Sequence, residues 1–188
     1  MVTDYLDLKL GEFLDLSASE PAPGGGSAAA VAIALAASLV AKVARRSGST
    51  WPDAAGVAAQ AIELQARCPT LARDDAEAWQ DALLALGGGR GDRELAGVLD
   101  RAADLPLAIA ETGADVAGLA RLTAERGVAE LRGEAVAAAV LAHAGVRAAA
   151  HLVTLNLATR ADDDRCTRAA VAEQGAAASV RAALEAET

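Results

Sequence analysis

The chain has 188 residues, 53% of them hydrophobic and 2% aromatic, and a formal net charge of -9. That length fits a single domain over residues 1–188. The apolar content excludes a disordered acidic chain, and the acidic balance argues against a nucleic-acid or anionic-membrane partner. With 52 alanines and only Tyr5, Phe13, Trp51 and Trp79 as aromatics, β-branched and aromatic residues are too sparse for several strands. Alanine is the best helix former. The expectation is an all-α, Ala-rich bundle of six or seven helices. Small side chains bury little area each, so a partner subunit is expected.

In chain order, Leu6, Leu10, Phe13 and Leu14 give a short amphipathic helix over Asp4–Leu16. The breaker-rich stretch from Ser17 to Gly26 ends it. Ser27 is the expected cap of an apolar helix, Ala28–Arg46, that closes on Lys42, Arg45 and Arg46. Its apolar run, Ala28–Ala41, falls short of a membrane span of about 20 residues. Asp53 is the expected cap of Ala54–Arg67, with Cys68-Pro69-Thr70 as a break and a further helix to about Leu86. Gly87–Gly91 is an expected loop. Arg93–Ala103 is helical, and Pro106 is read as a helix start for Leu107–Arg126. Val128–Ala158 is a long Ala-rich helix, residues 160–165 a turn, and Thr167–Glu187 the last helix. Cys68 and Cys166 stand in no ligand or redox spacing. With no signal peptide visible, they read as free thiols of a soluble, cytoplasmic protein.

Pro23-Gly24-Gly25-Gly26-Ser27 is the most unusual motif. Glycines permit close approach of a backbone or ligand, and a helix N-terminus offers free N–H groups to an anionic or polar group. The spacing is not that of a phosphate-binding P-loop. Asp75 and Trp79 lie one helical turn apart. A carboxylate beside an indole in an apolar groove would have a raised pKa and exchange protons, and the indole could stack on a flat heterocycle. Exposed acids in the first turn of a helix are the plainer reading. His143 and His151 have no carboxylate at metal-ligand spacing, so no metal is expected. Asn156 is polar within an apolar stretch, and is either a structural bond-maker or a ligand contact.

Taken together and in order, Leu10, Phe13-Leu14, the segment Pro23 to Ala30, Asp75-Ala76-Glu77-Ala78-Trp79, Leu105-Pro106-Leu107 and Leu155-Asn156-Leu157 resemble the formiminotransferase-cyclodeaminase C-terminal domain family. That family includes stand-alone methenyltetrahydrofolate cyclohydrolases. The resemblance spans about residues 5–185. It implies a dimerising helical subunit with a folate site in a groove, acting on a tetrahydrofolate derivative with no other cofactor. It implies one of two reactions, ring closure of 5-formiminotetrahydrofolate with loss of ammonia or hydrolysis of the methenyl bridge. Asp75 and Glu134 are the expected proton carriers. Gly24, Gly25, Gly26, Ser27, Lys42, Trp79 and Asn156 are the expected substrate contacts, with Arg45 or Arg46 near the glutamate tail. The chain departs from the family at Gly133-Glu134 (Ser-Asp in the family), Val128 (Asn) and Leu152 (Asn). The alternative reading is a catalytically silent member, kept as an oligomerising or partner-binding helical module.

Overall fold

The computed structural model describes residues 8–88, 92–157 and 162–186, the side chains of 92–95 excepted. The expected helix start at Asp4, the aromatic Tyr5, loop residues 89–91, Ala158, turn residues 160–161 and Glu187 lie outside them. The described residues form six helices: α1 (Leu10–Ser19), α2 (Gly25–Arg46), α3 (Ala54–Gly87), α4 (Asp92–Arg126), α5 (Arg132–Asn156) and α6 (Asp164–Glu185), with a 3-10 turn at Ala129–Leu131 before α5. Among the described residues there is no strand, so the fold is an all-α bundle.

Helices α2, α4 and α5 pack on one another at the centre, with α3 laid against α2 and α4, and α6 against α4 and α5. The contact is close because the facing side chains are small. Ile33 of α2, fully buried, enters the space left by two glycines. A Cβ on Gly113 would stand 2.6 Å from Val146 and 2.7 Å from Ile33, and one on Gly145 only 2.8 Å from Ile33. Buried Ala30, Ala37, Ala117, Ala138, Ala142 and Ala149 continue this small-residue seam. Interiors pack at crystal-like density, so such a seam specifies how near the helix axes lie. Helix α2 and the stretch Ala129–Asn156 are long and apolar enough to cross a membrane, α2 being longer than its 14-residue apolar run implied. In the bundle their buried faces are turned to other helices.

Several expected boundaries are corrected. Pro69 does not break a helix, because α3 runs continuously through it. Leu64, Cys68, Ala72 and Ala76 are buried on both sides of the proline. Tertiary burial of one continuous face outweighs a helix-interior proline, which costs about 3 kcal/mol. Pro106 does not start a helix either, since α4 runs from Asp92 to Arg126 around it. Ser27 is not a cap: Gly24 takes that position and Ser27 lies inside α2. Asp53 stands at the α3 N-cap but makes no side-chain capping bond. Helix α5 starts at Arg132 rather than Val128. Asp163 caps α6, its carboxylate accepting from the Arg165 N–H. Ser47, read as loop, joins two ends of the fold. Its hydroxyl donates to the Val43 carbonyl at 2.8 Å and accepts from the Val128 N–H at 2.9 Å.

Candidate active site

A cleft of about 230 Å³ opens where the N-terminus of α2 meets the second half of α3, the middle of α4 and the C-terminal end of α5. Gly24, Gly25, Gly26, Asp75, Trp79, Ala102, Pro106, Leu152 and Asn156 line it. Because α2 begins at the end where α5 finishes, the glycine turn and Asn156 share one wall region although 130 residues separate them.

The Asp75 carboxyl lies directly on Gly26. A Cβ there would come within 2.3 Å of one carboxylate oxygen and 2.4 Å of the other. Only glycine admits this approach. Gly24 and Gly25 differ: nothing lies within 4 Å of a Cβ on Gly24, and only Leu152, at 3.7 Å, near one on Gly25. Beneath the carboxyl, the fully buried Ser27 donates its hydroxyl to the Ala72 carbonyl at 2.8 Å. The same hydroxyl oxygen is 3.4 Å from Asp75 Oδ2. A hydroxyl has one proton, and the shorter bond claims it. The longer contact therefore favours the charged form of Asp75 only weakly. The neighbouring Asp74 is occupied by Arg73, at 3.0 Å.

Burial pushes the Asp75 carboxyl up to about 6, against the opposing pull of the Ser27 hydroxyl and Ser27 backbone N–H. Desolvation disfavours the charged form, while hydrogen bonds to that form favour it; here desolvation wins. The result is a carboxyl that can carry or release a proton near neutrality, the property a general acid–base group needs. Trp79, one turn further along α3, is 41% exposed and offers its indole to the cleft.

Asn156 lines the cleft from the end of α5. Its Nδ2 donates to the Ala102 carbonyl across to α4. That carbonyl is available because Pro106, four residues on, has no N–H to give it. The two readings left open for Asn156 thus coexist, for it is a structural bond-maker that also lines the cleft.

Glu134 and Lys42 are not brought to this cleft. They pair with each other at 2.8 Å. Lys42 lies 16 residues beyond Gly26 along α2, about 24 Å at the helical rise. Glu134 opens α5 whereas Asn156 closes it. The hydrogen bond from Lys42 holds the Glu134 carboxyl below its ordinary value, so within one chain it is a charged, paired group. Pro106 and Ala102 were missed as site residues, whereas Leu152, marked in the sequence as a departure from the family's Asn, does line the cleft. The signal available for Pro106 was a polar Asn156 in an apolar stretch, which needs a partner; Ala102 carries no signal of its own. Among the described residues no three His, Cys, Asp or Glu side chains gather as a metal site.

A family profile described as Formiminotransferase-cyclodeaminase matches residues 9–184. The chain belongs to the formiminotransferase-cyclodeaminase family. A crystal structure of formiminotetrahydrofolate cyclodeaminase from Thermotoga maritima superposes with a TM-score of 0.83 at 25% identity, covering 96% of this chain and 93% of that one. No curated protein sequence matches this chain significantly. Membership places the chain in a folate-related family, and in this chain the glycine turn, Asp75 and Asn156 meet in one cleft.

Proposed function

We propose that the chain is a folate one-carbon enzyme, a formiminotetrahydrofolate cyclodeaminase or a methenyltetrahydrofolate cyclohydrolase, with Asp75 as its proton carrier. The observation that carries this is the half-buried Asp75 carboxyl on Gly26, with its pKa raised to about 6, facing a cleft that also presents an open indole. Family membership and the Thermotoga maritima neighbour supply the substrate class.

In the deaminating direction, N10 attacks the carbon of the protonated formimino group; a C–N10 bond forms and the C=N double bond becomes single. Asp75 as carboxylate accepts the N10 proton. It returns that proton to the former formimino nitrogen, the bond from carbon to that nitrogen breaks, and ammonia leaves the methenyl product. In the hydrolytic direction, water adds to the methenyl carbon and Asp75 takes one of its protons; N5 receives that proton as the C–N5 bond opens, and the remaining hydroxyl proton leaves to solvent as the formyl C=O forms. Both routes need one group that accepts and gives back a proton at a single carbon, and a carboxyl with pKa about 6 suits that task. Gly25 and Gly26 backbone N–H groups, free in the first turn of α2, favour anionic or carbonyl edges of the ligand. Trp79 provides a stacking surface for the pterin ring.

The working form is a homodimer in a reducing cytoplasm. Exposed Leu10 and Leu14 on α1, Leu35 on α2 and Val140 on α5 support a partner surface, and the two free thiols support the compartment.

The test supplies 5-formiminotetrahydrofolate and methenyltetrahydrofolate side by side and follows methenyl absorbance. Wild type is expected to turn over at least one faster than buffer. Asp75→Asn is expected to lose about 10²- to 10⁴-fold in kcat, the range for a general acid–base group. Absence of turnover and of folate binding in the wild type overturns the reading.

A further inference from the structure

The link between Pro106, the Ala102 carbonyl and Asn156 has a consequence for what the cleft can bind. An asparagine amide is ambiguous: it can present oxygen or NH2 to a ligand. Here that ambiguity is removed. In an ordinary helix the Ala102 carbonyl would accept from the N–H of residue 106, but proline has none. The carbonyl accepts from Asn156 Nδ2 instead. A carbonyl can only accept, so the nitrogen of Asn156 must face it. The amide plane then turns Oδ1 away from α4. No protein donor among the described residues meets that oxygen, and Asn156 lines the cleft.

Resting on the folate reading above, we propose that Pro106 sets the hydrogen-bond polarity of the cleft: by leaving the Ala102 carbonyl unpaired it orients Asn156 so that Oδ1 is a fixed acceptor for a ring N–H of the ligand. Pro106 is then a positioning residue and Asn156 a specificity-determining one. The cleft selects a heterocycle with an N–H on the edge facing α5, as a reduced pterin has. A ligand offering only an acceptor there would leave two oxygens opposed, which a site of fixed polarity rejects strongly. A freely rotating amide would accept either kind.

The experiment is a double-mutant cycle read by calorimetry with 5-formyltetrahydrofolate, using Pro106→Ala, Asn156→Ala and the double variant. Pro106→Ala returns a backbone N–H to position 106 and frees the Asn156 amide to turn. Asn156→Ala is expected to weaken binding about tenfold, the loss of one ligand hydrogen bond. Pro106→Ala is expected to weaken it about threefold alone and not at all in the Asn156→Ala background. Additive effects would mean that Pro106 does not act through Asn156, and overturn the proposal. A second readout needs no ligand. In ¹⁵N-labelled protein the Asn156 side-chain NH2 should show one slowly exchanging proton, lost on Pro106→Ala. Equal exchange in both proteins overturns the orientation. A wild type that binds no folate while Asn156 keeps the protected proton counts against the folate reading and the ligand selection built on it, and leaves the orientation supported.

Discussion

Gly26 and Asp75 form a pair that neither residue explains alone. Asp75 can turn inward and be partly buried because Gly26 leaves space for its carboxyl, and that desolvation raises its pKa. Gly26→Ala is therefore expected to push Asp75 out of its place. Activity should fall at least 10²-fold with the helical circular dichroism kept, whereas Gly24→Ala, with open space around its Cβ, leaves the apo fold unchanged. The pH dependence follows from the same burial. With the folded pKa above the unfolded one, the folded state holds the extra proton between about pH 4 and 6. Stability is fully present below that window and falls as pH rises through it. Asp75→Asn removes the charged form. Urea unfolding should find the variant level with wild type near pH 4 and more stable by about 3 kcal/mol at pH 7.5. A constant gap across that range would contradict the assignment. Asp75 and the glycine turn were legible in the sequence because unusual residue types marked them. Which of the three glycines mattered was not, since it depends on a side chain 49 residues away.

At the scale of the element, both interior prolines were misread as boundaries. Local chemistry favours a break at Pro69 and Pro106, but α3 and α4 each bury a face continuous through the proline. In α4 the lost bond is replaced from α5 by Asn156. The same segment is braced from α6. Arg165 donates to Asp163, Asp100 and Asp104 at 2.7–2.9 Å and to the Asp100 carbonyl at 3.2 Å, with its side chain only 15% exposed. Those bonds hold its guanidinium above even its ordinary pKa. Arg165→Ala would leave three carboxylates facing one another. The expected loss is about 2 kcal/mol in denaturant unfolding. The residues 160–165 looked like a solvated turn, because nothing in sequence tells an exposed Arg from one clasped by a helix 60 residues away.

For the whole molecule, the small-residue seam decides the architecture. Gly145 and Gly113 admit Ile33 between α4 and α5. Gly145→Ala is expected to overpack this crossing and lower stability by about 1–3 kcal/mol, read as an earlier thermal transition. Ile33→Ala in the same background should recover part of that loss, by opening the space that the added methyl needs. The proposed dimer makes a separate demand. If subunits pair through the exposed leucines and valine, the thermal midpoint should rise with protein concentration, and sedimentation should give twice the chain mass. A concentration-independent midpoint and a monomer mass would remove the dimer.

The sequence by itself determined the helical class, the order of the elements and the family, because alanine abundance, apolar periodicity and the glycine turn are local or order-dependent signals. The tertiary structure alone decided which polar residues share a site. It separated Glu134 and Lys42 from Asp75 by nearly the length of a helix, and joined Asn156 to Pro106 across two helices. The physical reason is that a carboxyl's pKa, an amide's orientation and a proline's tolerance depend on the groups packed against them. In an antiparallel bundle those groups come from distant parts of the chain.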